Sequence, residues 1–451
     1  MVHWRSLRFM KIRLPGIILW TFALGGPALL CQPQGPPLIT LKDALARARQ
    51  FGGQYQAANL TLLQAREDTK QAKAARLPSV NGFNQFIYTE NNGTPSGVFV
   101  ANDGPHIYNE QAVVHEDLGM LLRHGEVNRA LAAEAVAQAK IEIAVRGVGA
   151  TVIQNYYAIV TAENHLTNLK RSVTEAERFV DITTKQEKRG EVARVDVLKG
   201  QLDLRQRQRD LKEAALGVMK AKIALAVIIF PNYSTDFAVE NDLQKKPLLP
   251  AAEEARVGAT ANSPDLKAAK LSIQQTGLDI TVARYGLLPT FTLDYFYGIN
   301  ANQFLARTHY PKENGIEPPY RQNLGSSAQA TVTIPVWNWG ATRSKIKQAE
   351  FRQKQAQLDL TLAERNLQAT LASAYAEGKL ALEQLESLRE SSDLATESLR
   401  LMLLRYQAGE STALEVVDAQ NTLTLARNAY GDGLVRYRMA WSNLQMLTGN
   451  L

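Results

Sequence analysis

The chain has 451 residues, 45% of them hydrophobic and 21% charged, with 51 Lys and Arg against 44 Asp and Glu. Four cations, Arg5, Arg8, Lys11 and Arg13, fall in the first 31 residues, which hold no Asp or Glu, so the formal charge of +7 becomes +3 (7 − 4) beyond them. Charges of both signs are interspersed in what remains, which argues against a nucleic-acid partner, and the single cysteine, Cys31, excludes an internal disulfide framework.

The early cations precede an apolar run from Leu14 to Cys31 (LPGIILWTFALGGPALLC), after which polarity returns. This is the pattern of a secretory leader, residues 1–31, too short and too interrupted by Pro15, Gly25, Gly26 and Pro27 to read as a spanning helix. Cys31 follows Ala28-Leu29-Leu30 and is either a lipidated N-terminus or lost with the leader.

Beyond the leader the chain repeats itself once. Leu77-Pro78 aligns with Leu288-Pro289, and Gly190-Glu191 with Gly409-Glu410. The two units span 32–240 and 241–451, each running short helix, longer helix, two strands, very long helix and returning helix. Proline is absent from 106 to 230 and from 336 to 451, so uninterrupted helices are permitted there.

In the first unit the strands are expected at about 79–90 and 108–122, then a helical hairpin over about 123–229. In the second they are expected at about 289–300 and 326–337, then a hairpin over about 341–448. Strand residues alternate with a period of two, as in Phe291, Leu293, Tyr295, Tyr297 and Ile299, or Ala328, Ala330, Val332 and Ile334. Such segments are the weak signature of an outer-membrane barrel. Four strands cannot close one, so several chains must pool theirs. Loops at about 91–107 and 301–325 would then face outward.

The returning helices carry matching seven-residue seams, Val197, Leu204, Leu211, Val218 and Leu225, and Val416, Leu423, Tyr430, Tyr437 and Leu444. Small residues stand three positions after most of them, as coiled-coil packing requires, and Arg207 is the clearest exception.

Catalysis finds little support. The histidines, His3, His106, His115, His124, His165 and His309, lack ligand spacing, and neither a G-x-S-x-G nor a P-loop occurs. No enzyme, metal or cofactor is expected. A periplasmic coiled-coil adaptor is the alternative reading, although such proteins usually carry one hairpin.

Five passages together resemble the TolC-like outer-membrane efflux family: ARLPSVNGF (75–83), KRGEVARVDVLKGQLDL (188–204), YGLLPTFTLDY (285–295), ATVTIPVWNWGATRSKI (330–346) and RYQAGESTALEVVDAQNTL (405–423). The resemblance runs from about residue 38 to the end. It implies an α+β membrane channel, a homotrimer whose 12-stranded β-barrel continues into a coiled-coil α-helical barrel with an equatorial domain around residues 231 to 262. It further implies a passive exit duct in the outer membrane of a Gram-negative bacterium, with its tunnel in the periplasm. The implied partners are outer-membrane lipid, a periplasmic adaptor and an inner-membrane transporter of RND or ABC type.

Onto this sequence the resemblance places a constriction ring at Glu415 and Asp418, a tip latch at Asp196 and Tyr406, and docking turns at Gly190, Glu191, Gly409 and Glu410. Ser411 and Val195 depart from the pattern, the best-known member having arginine and threonine there, so a second latch is not implied.

Overall fold

The computed structural model describes residues 36–89, 106–232, 234–308 and 321–450. The leader, Cys31, His3, residues 91–105 of the first expected outer loop and residues 309–320 of the second, His309 among them, lie outside the described residues.

In chain order the elements are β1 (Leu38–Ile39), α1 (Leu41–Phe51), α2 (Gly53–Ala74), β2 (Ser79–Tyr88), β3 (His106–Asp117), α3 (Leu118–Leu122), α4 (Gly125–Lys188) and α5 (Arg194–Ile229). The second half gives β4 (Ala238–Val239), α6 (Ala252–Asn262), α7 (Pro264–Tyr285), β5 (Thr290–Ala301), β6 (Arg307–Thr308), β7 (Arg321–Gln322), β8 (Leu324–Thr333), α8 (Ala341–Gln407) and α9 (Ala413–Thr448). Corresponding helices match in length: 11 residues for α1 and α6, 22 for α2 and α7, 36 for α5 and α9. At 1.5 Å per residue, the 64 residues of α4 and 67 of α8 make rods of roughly 95 to 100 Å.

One antiparallel sheet has the order β2-β3-β5-β8. The helices beneath repeat that order, because α2 leads into β2, β3 passes through α3 into α4, α7 leads into β5 and β8 feeds α8, with α2 against α4, α4 against α7 and α7 against α8. Further down the returning helices replace the short ones, and the order becomes α5-α4-α9-α8. The protomer is thus a tall strip of wall, one layer thick, with the same flank-to-flank sequence at every height.

The main core sits part-way along, where Ile39, Val152, Ile153, Tyr156, Leu225, Ile229 and Phe237 bury one another. Here β1 pairs in parallel with β4, and the Tyr156 hydroxyl donates to the Glu240 carbonyl at 2.8 Å, fastening the connector to α4. Burial, chiefly, pushes the Tyr156 phenol above its ordinary range. Tyr437 donates to the Pro247 carbonyl, and Arg438 forms a buried ion pair with Asp242, so α9 holds the same connector.

Two strand ends differ from expectation. β3 stops at Asp117 rather than 122, because the Asp117 carboxylate accepts from Gly119 N at 2.8 Å and Met120 N at 3.2 Å and caps α3. The run Leu118-Gly-Met-Leu-Leu also has no alternation to hold it in a sheet. β8 stops at Thr333 rather than 337, since Pro335 has no N–H to donate and Trp339 takes a positive φ of 53° before α8 begins.

Gly298 tests the register. It pairs with Gln111, and a Cβ there would collide with the Glu110 carbonyl. Gly298→Ala should therefore weaken β3–β5 pairing and lower the temperature at which the folded band is lost in heat-modifiability gels. An unchanged temperature would show that the strand adjusts freely.

Candidate functional site

The sheet has two unlike faces. Phe291, Leu293, Tyr295, Tyr297 and, across the ladder, Val332 are exposed on one, while Thr292, Asp294, Gln329 and Thr331 share the other. On the polar face His115 Nδ1 lies 2.6 Å from Asp294, directly across the β3–β5 ladder. Aromatic groups mark both ends of the apolar band: Phe86, Tyr88 and His106 at one, and the edge-to-face pair Trp337 and Trp339 at the other. No described helix is long and apolar enough to cross a membrane. The β-sheet is the element with a lipid-compatible face.

The two tips share a backbone motif. In the first, Gly190 N donates to Glu187 O and Glu191 N to Gln186 O; in the second, Gly409 N donates to Tyr406 O and Glu410 N to Arg405 O. Gly190 and Gly409 have φ of 76° and 80°, the left-handed conformation that closes a helix end. Glu191 and Glu410 are exposed beside them.

The restarts differ. α5 begins at Ala193 without a side-chain cap, whereas α9 begins with a capping box: Thr412 Oγ1 accepts from Glu415 N at 3.4 Å, and Glu415 Oε2 accepts from Thr412 N at 2.8 Å. Glu415 is therefore partly engaged in starting its own helix, and the Thr412-Ala-Leu-Glu415 spacing could have shown this in advance. Asp418, one turn on, is exposed and makes no hydrogen bond or ion pair among the described residues.

Tyr406 is buried against Phe179, ring centroids 5.2 Å apart, within a cluster that includes Leu399, Val416 and Leu423. Its hydroxyl has no hydrogen-bond partner in the protomer. Burial first, then the nearby Asp196 charge, push the phenol from 10.0 up to about 12. The structure thus brings Tyr406 and Asp196 close without bonding them. Ser411 Oγ donates to the Met402 carbonyl at 3.4 Å, a bond within its own tip, and Val195 is exposed.

The two hairpins meet along α4 and α9 in a polar seam that no motif announced. Asn168 donates to Asn428 at 2.9 Å, Thr424 to Ser172 at 3.3 Å, and Arg427 pairs with Glu175 at 3.0 Å. Arg207, the exception in the heptad seam, joins this layer. Among the described residues no group of three or more His, Cys, Asp or Glu side chains could hold a metal ion.

Residues 257–450 match the model of the family described as outer membrane efflux protein. Over 274 residues the chain is 23% identical to the outer membrane efflux protein BepC of Brucella suis, covering 59% of this chain and 54% of that one. Against the outer membrane protein TolC of Escherichia coli it is 26% identical over 235 residues, covering 49% and 45%. The outer membrane protein VceC of Vibrio cholerae has the same fold, with a TM-score of 0.75 at 16% identity over 91% of this chain and 96% of that one.

The second half of the chain thus resembles the outer membrane efflux protein family, whose model it matches over residues 257–450. The matched stretches span about half the length of these curated relatives, whereas the fold agrees over nine-tenths of the chain. The α+β protomer thus has the fold of solved outer-membrane channels.

The partnerless hydroxyl makes a specific forecast. A phenol whose pKa is raised by folding contributes stability that is complete below about pH 10 and lost as pH rises through about 12. Tyr406→Phe should leave tip protection in hydrogen exchange unchanged or higher at pH 7, because removing a buried, unpaired hydroxyl relieves ~1 to 3 kcal/mol. It should also abolish the loss of protection above pH 10. Weaker protection at pH 7 would show that the hydroxyl finds a partner in the assembled protein.

Proposed function

We propose that three copies of this chain form a passive exit duct through which an efflux or secretion system discharges its cargo. The observation that carries the reading is that, among the described residues, both flanks of the strip are unpaired over its whole height. On one flank lie the edge strand β2 and, below it, α2 and α5; on the other lie the edge strand β8 and α8.

Copies can join flank to flank with continuous geometry. β2 and β8 run in opposite directions, so a β8-to-β2 joint continues the antiparallel pattern, and three copies supply the twelve strands the family resemblance implies. Leaving either edge open in lipid would cost several kcal/mol for each unpaired backbone group. Lower down, α5 exposes Val195, Leu198 and Leu202, and α8 exposes Leu394, Leu401 and Leu404 at the same height near the tips. Two unlike apolar stripes on opposite flanks are what a head-to-tail interface needs, and it closes a ring when the rotation returns to its start.

Within the ring Asp418 and Glu415 of three copies would form the acidic constriction, with Asp418 the freer of each pair. Clustered carboxylates attract cations and bind multivalent ones. The tip turns at Gly190-Glu191 and Gly409-Glu410 would meet a periplasmic adaptor and its energised inner-membrane transporter, RND or ABC in type. Asp196 and Tyr406 would pack the resting tip shut, Tyr406 acting through burial. Each half, 32–240 and 241–451, is one repeat of this wall.

Two experiments test the reading. Leu202→Glu combined with Leu401→Glu should place charges in the seam and convert detergent-extracted trimer to single subunits by light scattering. Persistence of the trimer would refute the flank assignment. Asp418→Asn with Glu415→Gln, which keeps a capping side chain, should weaken block of single-channel conductance by a trivalent cation at least about tenfold, an estimate from the loss of all ring charge. Undiminished block would place the constriction elsewhere.

A further inference from the structure

Arg207 lies 13 residues into α5, roughly 20 Å from the tip. It stands at a seam position whose heptad counterparts, Gly200, Ala214 and Ala221, are small, and it is only 4% exposed. Its Nε donates to Asp203 at 2.6 Å, one turn earlier on the same helix, and Nη1 donates to Ser172 of α4. Its third arm, Nη2, leaves the hairpin and donates to Asn421 Oδ1 of α9 at 2.9 Å. Among the described residues this is the one side-chain hydrogen bond from α5 to α9.

The distribution of partners decides what the residue can do. A buried guanidinium without a counter-charge would be strongly destabilising, but Asp203 neutralises this one inside its own hairpin. The bond to Asn421 can therefore break without stranding a charge. Three neighbouring contacts across the same plane are likewise detachable, Thr424 to Ser172, Gln420 Nε2 to the Glu175 carbonyl at 3.4 Å and Asn168 to Asn428, while Arg427 of α9 is ion-paired with Glu175 of α4 at 3.0 Å. Within each hairpin, by contrast, the seams are largely apolar, as at Leu423, Val416 and Leu399 between α8 and α9.

We propose that Arg207 is a positioning residue, fixed to the first hairpin and tethering the second through its single bond to Asn421, so that releasing this bond is one required step when the lower α8–α9 hairpin swings away from α4–α5. This inference rests on the exit-duct reading for its function, though the tether itself can be measured separately.

The test uses full-length protein extracted from outer membranes. Asn421→Ala removes the acceptor and leaves Arg207 neutralised, and should raise the ratio of high- to low-conductance states in planar bilayers about fivefold per protomer, the worth of one lost hydrogen bond. Asn421→Asp turns the tether into an ion pair and should lower the ratio below that of the parent. Hydrogen exchange of amides 413–424 reads the same tether without any conductance, with protection falling in Asn421→Ala and rising in Asn421→Asp. Opposite shifts in the two variants support the proposal. No shift in either, or the same direction in both, overturns it, the latter being general loosening. A parent protein with no conductance at all, but with opposite exchange shifts, would sink the exit-duct reading and leave the tether standing.

Discussion

Among the described residues the main sheet of this protomer stops at four strands, and the layout of the wall below follows from that. In water an open edge is a modest liability, because solvent satisfies the exposed N–H and C=O groups. In hydrocarbon nothing replaces them, so β2 and β8 require partners from other chains. That demand extends downward. Because each strand is covalently continuous with a helix of the same order, pairing at the edges brings α8 of one copy against the stacked α2 and α5 of the next. A constraint imposed by lipid in the upper part thereby fixes the helical tunnel far outside the membrane.

Stability within one strip is concentrated rather than spread. The equatorial connector is gripped from both sides, by Tyr156 on α4 and by Tyr437 and Arg438 on α9. Below that belt the two hairpins share a polar seam, and near the tip an apolar cluster around Phe179 and Tyr406 takes over. The wall is therefore fixed in its middle and held at its end by burial alone. Such an arrangement allows the ends to move while the belt keeps register.

Much of this was legible in the sequence because its signals are repetitive. Proline-free stretches, matched Leu-Pro passages and two heptad seams each occur twice, and each has a direct physical cause. What stayed hidden depends on three-dimensional neighbours. The ending of β3 at Asp117 turns on a carboxylate choosing two nearby N–H groups over a ladder. Arg207 was visible as a misfit, but its partner Asn421 lies 214 residues away and no local pattern links them. Glu415 carries a second, purely local signal, the Thr412-Ala-Leu-Glu415 capping box, beside the constriction role that the family resemblance implies.

That last residue carries a broader consequence for how the tip works. A carboxylate at the third position of α9 starts the helix and, in the proposed trimer, would add negative charge where three copies converge. It accepts a hydrogen bond from Thr412 N at 2.8 Å, so its side chain is held at the start of its own helix. Asp418 lacks such a partner among the described residues. In the proposed trimer, closing the tip would bring these charges together, and burial of Tyr406 against Phe179 would favour closure. In the proposed duct the resting state would be a balance between apolar packing just outside the lumen and like-charge repulsion within it, which a docking partner or a bound cation would tip.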